Sequence, residues 1–355
     1  MASKRSGKEF ATSSRRPPPK KQVSAKNHGI IFKDNKQRDR YKNLISKPLH
    51  PCKYPDNYDL VTLGLSDNVF KFLRRLGWVA MLRPMRGYEN FTYEFLSSIV
   101  FTKDMMNFDN PNHKISFRLM NIDYEMSLQH FCDEMSFANA GFIRDSWDQS
   151  LKPVDYQHAN FWEHITDLRQ FNTRSNKASN IHHPVLRYLQ RVMTCTIWGR
   201  TELGNTRTDE LFMSWAMLNN HPVNTCFYLL DYLSHVGNRF DSRGEIVVGG
   251  IITYIARQLG VGEDQGITKI EGINRLNIET LIFMNFIRPR PPMSYTLKLN
   301  VPILIILSNP SRTNTEVEEN LLYVVDDPQV HEKTMMKARK MHIAPRRGRC
   351  TIAPC

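Results

Sequence analysis

The sequence predicts a mainly α protein with minor β: a helical bundle core, one short hairpin and disordered basic tails. Three observations predict it. Apolar residues recur at helical spacing in successive runs between 184 and 259. A single stretch, 114–119, alternates with a period of two. Lys and Arg gather at both ends, among prolines and small polar residues that favour neither helix nor burial. The expected organisation is a disordered basic tail over 1–50, a lobe of mixed helix and hairpin over 51–175, a helical lobe over 176–310, and a polar linker with a basic tail over 311–355.

The charge is unevenly placed. The 355 residues carry a formal net charge of +13. Residues 1–50 hold 14 Lys and Arg against 3 Asp and Glu, and residues 331–355 hold 7 against 1. The middle is mildly acidic, so an electrostatic partner meets the ends first. The basic residues singled out in the first tail are Lys4, Arg5, Arg15, Arg16, Lys20 and Lys21. Those in the second are Arg339, Lys340, Arg346, Arg347 and Arg349. Such clusters serve nuclear import or contact nucleic-acid phosphates without sequence preference. They also occur as plain solvated ends.

Along the core, Ser66 or Asp67 can cap a helix whose stripe is Val69, Phe70, Leu73 and Leu76, and Gly77 offers a left-handed stop. A second helix is expected over about 92–101, with Tyr93, Leu96 and Val100 on one side. Ile115, Phe117 and Leu119 form one face of the alternating strand. Asn121-Ile122-Asp123 can turn it toward Tyr124 and Met126 as a hairpin. Ser127 then caps a helix carrying Leu128 and Phe131. Residues 140–180 are polar apart from Phe161-Trp162 and the apolar pair Ile165 and Leu168, and 172–180 reads as a loop.

The helical signal then strengthens. Pro184 suits the first turn of a helix bearing Val185, Tyr188, Leu189 and Val192. Thr208 can cap the next, with Asp209 and Glu210 at its positive end and Leu211, Phe212, Trp215 and Leu218 as stripe. Pro222 opens a third, with Val223, Cys226, Phe227 and Leu230. Ile251, Ile252, Ile255 and Leu259 mark a fourth, closed by Gly260. Residues 288–292, rich in Arg and Pro, are expected to break the chain before an extended finish over 295–307.

Catalytic and metal chemistry finds no ordered set of residues. Six scattered cysteines read as reduced thiols. No Cys-x-x-Cys pair exists, and a site from His164, His182, Cys195 and Cys226 has no ligand spacing to support it. Gly249-Gly250 and the glycines of 260–266 lack the phosphate-loop patterns and read as turns or close packing. Asp326-Asp327 stands without the further carboxylates that metal-ion catalysis requires. Trp78, Trp162, Trp198 and Trp215 fall mostly on apolar stripes and read as core. The expectation is therefore no catalytic residue, no metal, no cofactor and no small-molecule substrate. With the longest apolar run at 301–307, no membrane span is expected either.

One combination of segments carries a resemblance. His183-Pro184-Val185-Leu186-Arg187-Tyr188 leads to Trp198-Gly199-Arg200-Thr201-Glu202-Leu203-Gly204, then Thr208-Asp209-Glu210-Leu211-Phe212, Pro222-Val223-Asn224-Thr225 and Leu229-Leu230-Asp231. Leu63-Gly64-Leu65, Leu76-Gly77-Trp78 and Glu94-Phe95-Leu96-Ser97-Ser98 precede them. This order resembles the Athila family of plant long-terminal-repeat retrotransposon first-open-reading-frame proteins, including the Arabidopsis retrotransposon Orf C-terminal domain, over roughly 55–310. The resemblance implies a non-enzymatic Gag-region protein that coats RNA and self-associates. Without a zinc knuckle, RNA packaging falls to the tails. The expected partners are thus RNA, held non-specifically, and further copies of the chain, in the nucleus and secondarily the cytoplasm. The alternative is a host-retained nuclear protein-interaction module without assembly activity.

Overall fold

Asp34 accepts a hydrogen bond from the Gln37 amide at 2.7 Å and opens the first helix, α1 (Asn35–Leu44). This helix lies inside the stretch expected as tail. Its buried residues, Gln37, Arg40, Tyr41 and Leu44, recur every three or four positions and pack on α4 (Glu89–Ser98). The structure, a computed structural model, describes residues 28–101, 114–137, 156–166, 168, 171–172, 176–240, 244–299, 304–307 and 313–316.

β1 (Tyr54–Pro55) leads into α2 (Asn57–Thr62) and α3 (Ser66–Arg75). In α3 the buried aromatic is Phe72, while Phe70 is half-buried, so the stripe is Val69, Phe72 and Leu73. Gly77 takes the expected left-handed turn at φ +71°. α4 begins three residues before its expected start and ends at Ser98. Val100 lies beyond it, in a bridge to Ser116. The hairpin forms as β2 (Ile115–Leu119) and β3 (Ile122–Met126), turning at Met120 and Asn121, both at positive φ. Ser127 caps α5 (Leu128–Glu134) through the His130 amide at 3.1 Å.

Phe161, Trp162 and Ile165 lie on α6 (His158–Thr166). The next helix, α7 (Pro184–Cys195), has Pro184 in its first turn and all twelve residues buried. α8 (Thr208–Asn219) and α9 (Thr225–Asn238) follow. α9 starts at Thr225 rather than at Pro222, and Asn224 caps it, accepting from the Phe227 amide at 2.9 Å. α10 (Gly249–Gln258) turns off at Gly260, φ +80°.

After α10, β4 (Arg275–Leu276) pairs parallel to β1 and leads into α11 (Ile278–Phe283). Residues 288–290, expected to break the chain, belong to a strand. β5 (Ile287–Arg290), β6 (Ser294–Leu297) and β7 (Ile306–Leu307) form an antiparallel sheet in that order. Pro289 is accommodated because β5 is an edge strand. The fold is mainly α with minor β. One hydrophobic cluster collects buried side chains from Ile30 through Leu307.

The thiol expectation needs one correction. α5 packs on α9, and this places Cys132 against Cys226 with Cα atoms 5.9 Å apart, joined as a disulfide. Cys52 and Cys195 are buried free thiols. Cys226 is thereby engaged with Cys132 rather than with His164, His182 and Cys195.

Candidate functional site

None of the basic residues singled out in sequence falls among the described residues. Lys4, Arg5, Arg15, Arg16, Lys20 and Lys21 precede residue 28, and Arg339, Lys340, Arg346, Arg347 and Arg349 follow residue 316. Asp326 and Asp327 also lie outside them. What the structure adds is a basic cleft in the folded body, which periodicity did not reveal.

The cleft is built on a buried carboxylate. Glu210, on the first turn of α8, is 0% exposed. One oxygen pairs with the Arg200 guanidinium. The other accepts from the Arg207 amide at 3.1 Å and from Gln190 Nε2 of α7 at 3.2 Å. Gln190 Nε2 also donates to Thr194 Oγ1 at 2.9 Å, and the Arg200 amide donates to the Thr194 carbonyl at 2.8 Å. A buried charge is tolerable only when paired and hydrogen-bonded in this way. Sequence reading assigned Glu210 only a favourable place at a helix start; its larger role is to hold the 199–207 loop against α7.

Gly199 lets that loop turn. A side chain there would meet Val248 Cγ1 at 2.6 Å, and its φ is +32°. Opposite stands the C-terminal end of α9, with Tyr232, His235 and Arg239. Lys47 and residues 244–246 complete the lining, and the two segments are joined by His50 N to Ile246 O at 2.8 Å and Ile246 N to Pro48 O at 3.0 Å. The enclosed volume is about 550 Å³. Around the Tyr232 hydroxyl, burial pushes the pKa up to about 12, while the guanidiniums of Arg207, Arg200 and Arg239 pull it down. Burial also lowers the pKa of Arg207, and its neighbour Arg200 adds to the effect.

A second cavity, about 370 Å³, is lined by Phe161, His164, Trp215 and the amides of Asn160 and Asn219. Trp215 is therefore half-buried beside a cavity, whereas Trp78, Trp162 and Trp198 are core. Trp78 Nε1 donates to Thr225 Oγ1 at 2.7 Å, which satisfies its one polar atom.

On a separate surface, α2 and α11 stand beside each other. Asp59 accepts from the Ile278 amide at 2.6 Å. These short helices expose Tyr58 and Val61 on one side and Phe283 on the other; Phe283 is 85% exposed. Among the described residues no helix is long and apolar enough to cross a membrane, and no group of three His, Cys, Asp or Glu gathers as for a metal.

The ATHILA ORF-1 family matches residues 32–219, just over half of the chain. The chain belongs to the ATHILA ORF-1 family. This is a retrotransposon family of Gag-like proteins rather than of enzymes. No curated protein and no solved structure matches the chain. The Athila match starts inside α1's approach, at Phe32, so it takes in the helix that charge alone marked as tail. It ends at Asn219, before the 222–225 and 229–231 segments. The cleft straddles that end: Gly199, Arg200, Glu202 and Arg207 lie inside the Athila match, Tyr232 and Arg239 beyond it.

Proposed function

We propose that this chain is a non-enzymatic structural protein of a retrotransposon particle, whose folded body self-associates and whose basic ends bind RNA through phosphate contacts. Family membership together with the charge split carries the reading. A basic, proline-rich end attached to a packed helical body is suited to sequence-independent RNA coating, because phosphate attraction needs no defined geometry. The same Lys4-Arg5 and Arg15 to Lys21 clusters serve as the nuclear-import signal in this reading.

Self-association is supported by the exposed pair of helices α2 and α11. Tyr58, Val61 and Phe283 leave apolar area in water that a second copy can cover. A Phe283→Asp chain is expected to form smaller assemblies than the parent.

The test of RNA binding changes charge and leaves the chain intact. Deleting 1–50 would remove α1 from the core and confuse binding with folding. Replacing Lys4, Arg5, Arg15, Arg16, Lys20 and Lys21 by Ala avoids this. RNA affinity should fall, and its log–log salt slope should flatten by up to about 4, at roughly 0.7 per lost single-strand phosphate contact. An unchanged slope would remove the first tail from the binding surface.

A further inference from the structure

We infer that the outer face of the β5-β6-β7 sheet is a phosphate-contacting surface for single-stranded RNA, on which Arg288, Arg290 and Lys298 meet successive phosphates of one extended strand. The inference rests on the RNA-binding reading and adds to it a contact on the folded body, separate from the tails.

The pairing register fixes which residues share that face. Arg288 stands opposite Thr296, and Arg290 opposite Ser294. Thr296 in turn stands opposite Ile306 of β7. Paired residues project to the same side of a sheet, and successive residues to opposite sides. The inner side carries Ile287, Leu297 and Leu307, all buried in the core cluster. Arg288 and Arg290 are therefore turned outward, and both are exposed. Lys298 continues the alternation one step past β6, where its amide still donates to the Phe286 carbonyl at 2.8 Å.

The face carries one sign of charge. Residues 280–315 contain four Lys and Arg and no Asp or Glu, inside a middle region that is mildly acidic as a whole. Solvated faces ordinarily intersperse the two signs. Among the described residues neither the Arg288 nor the Arg290 guanidinium makes a hydrogen bond or an ion pair. Lys298 Nζ donates to Asn285 Oδ1 at 2.6 Å, a neutral acceptor that leaves the charge and two of the three ammonium donors for a ligand. Ser294 Oγ donates to the Arg290 carbonyl at 3.1 Å, so this hydroxyl closes the hairpin and is not counted as a donor to RNA.

Alternate residues of a strand lie about 7 Å apart, close to the step between successive phosphates of an extended nucleic-acid strand. Each guanidinium can hold a phosphate through two parallel N–H bonds, while the Lys298 ammonium acts as a point charge. A four-residue strand is about 13 Å long, so the ribbon of β5 and β6 meets two or three phosphates. Contacts of this kind fix the strand on the surface without reading its bases.

Fluorescence anisotropy with a labelled ten-nucleotide RNA, over a salt series on the full-length chain, tests the surface. Arg288→Gln combined with Arg290→Gln should weaken binding about threefold to thirtyfold, the range for two exposed charge contacts. The log–log salt slope should flatten by about 1.4, at roughly 0.7 per lost single-strand contact. Arg288→Lys combined with Arg290→Lys should keep the slope. Should the Gln pair change the thermal midpoint, hydrogen exchange on the unmutated chain replaces it: RNA should protect amides of 287–297, and no protection there overturns the inference. A Gln pair with parental affinity and slope, beside tail variants that lose affinity, overturns the surface and leaves the tail reading standing. Affinity lost in the Gln pair but kept in the tail variants upholds the surface and removes the tails. A parent chain that binds no RNA overturns both. Displacement of the RNA by decaglutamate at equal charge would make the face a general polyanion surface and overturn its assignment to RNA.

Discussion

Arg40 of α1 donates to the Ile99 carbonyl at 2.8 Å, joining residues 59 positions apart in sequence. Ile99 follows the last turn of α4, where helix carbonyls lack intrahelical partners and a cation is favourable. The same guanidinium reaches the Ser97 carbonyl and Asn238 of α9. A residue that looks like tail charge therefore ties the first helix to two others.

Arg40→Met keeps most of the apolar stem and removes the donors. It should lower unfolding stability by about 2 kcal/mol, the scale of hydrogen bonds from a charged group whose buried partners are left unsatisfied. Urea unfolding monitored by tryptophan fluorescence measures this. A change within error would mean that α1 is only loosely attached.

Gly237 of α9 lies against the end of α4. A Cβ there would collide with the Leu96 carbonyl oxygen, and would lie 3.3 Å from Ile99 Cγ2. Within a helix, Gly→Ala ordinarily gains up to about 1 kcal/mol from propensity. Here the obstacle is backbone, which cannot swing aside, so overpacking at about 1–3 kcal/mol should win. Gly237→Ala is expected to lower the thermal midpoint; a raised midpoint would show that the two helices can separate freely.

His182 supplies a pH dependence. Burial, helped by nearby Arg187, lowers its pKa from 6.5 to about 4. The folded state keeps the ring neutral, while the unfolded chain protonates it near 6.5. Stability from this group is therefore complete above pH 6.5 and falls as pH drops toward 4. The loss totals about 3 kcal/mol at roughly 1.4 kcal/mol per pH unit. His182→Gln should flatten the stability profile between those values in denaturant titrations at successive pH. An identical slope in both proteins would place the titration elsewhere.

Several features were legible in sequence because a local rule governs them. The hairpin of β2 and β3, the Ser127 cap, the Gly77 and Gly260 stops and the Pro184 start each follow from a few neighbouring residues. The reading failed where position in the fold overrides composition. The 37-40-41-44 spacing of α1 was present, but Arg40 counted as tail charge because burying an Arg requires partners from α4 and α9 that no local pattern shows. Phe72 rather than Phe70 faces the core because the α3 stripe is set by where α7 and α8 lie. Pro289 reads as a break until the strand is known to be an edge. The cleft was the least legible feature. Its groups come from the turn after α1, the 199–207 loop, the end of α9 and residues 244–246, and no local pattern shows that Arg200 is the arginine with which Glu210 pairs.

Light scattering on the purified full-length protein at low salt, with and without added RNA, tests the central claim most directly. A retrotransposon coat protein should grow into large assemblies when RNA is added, and salt should reverse the growth by screening the phosphate contacts. A chain that stays monomeric and ignores RNA would contradict the account and favour a host-retained interaction module.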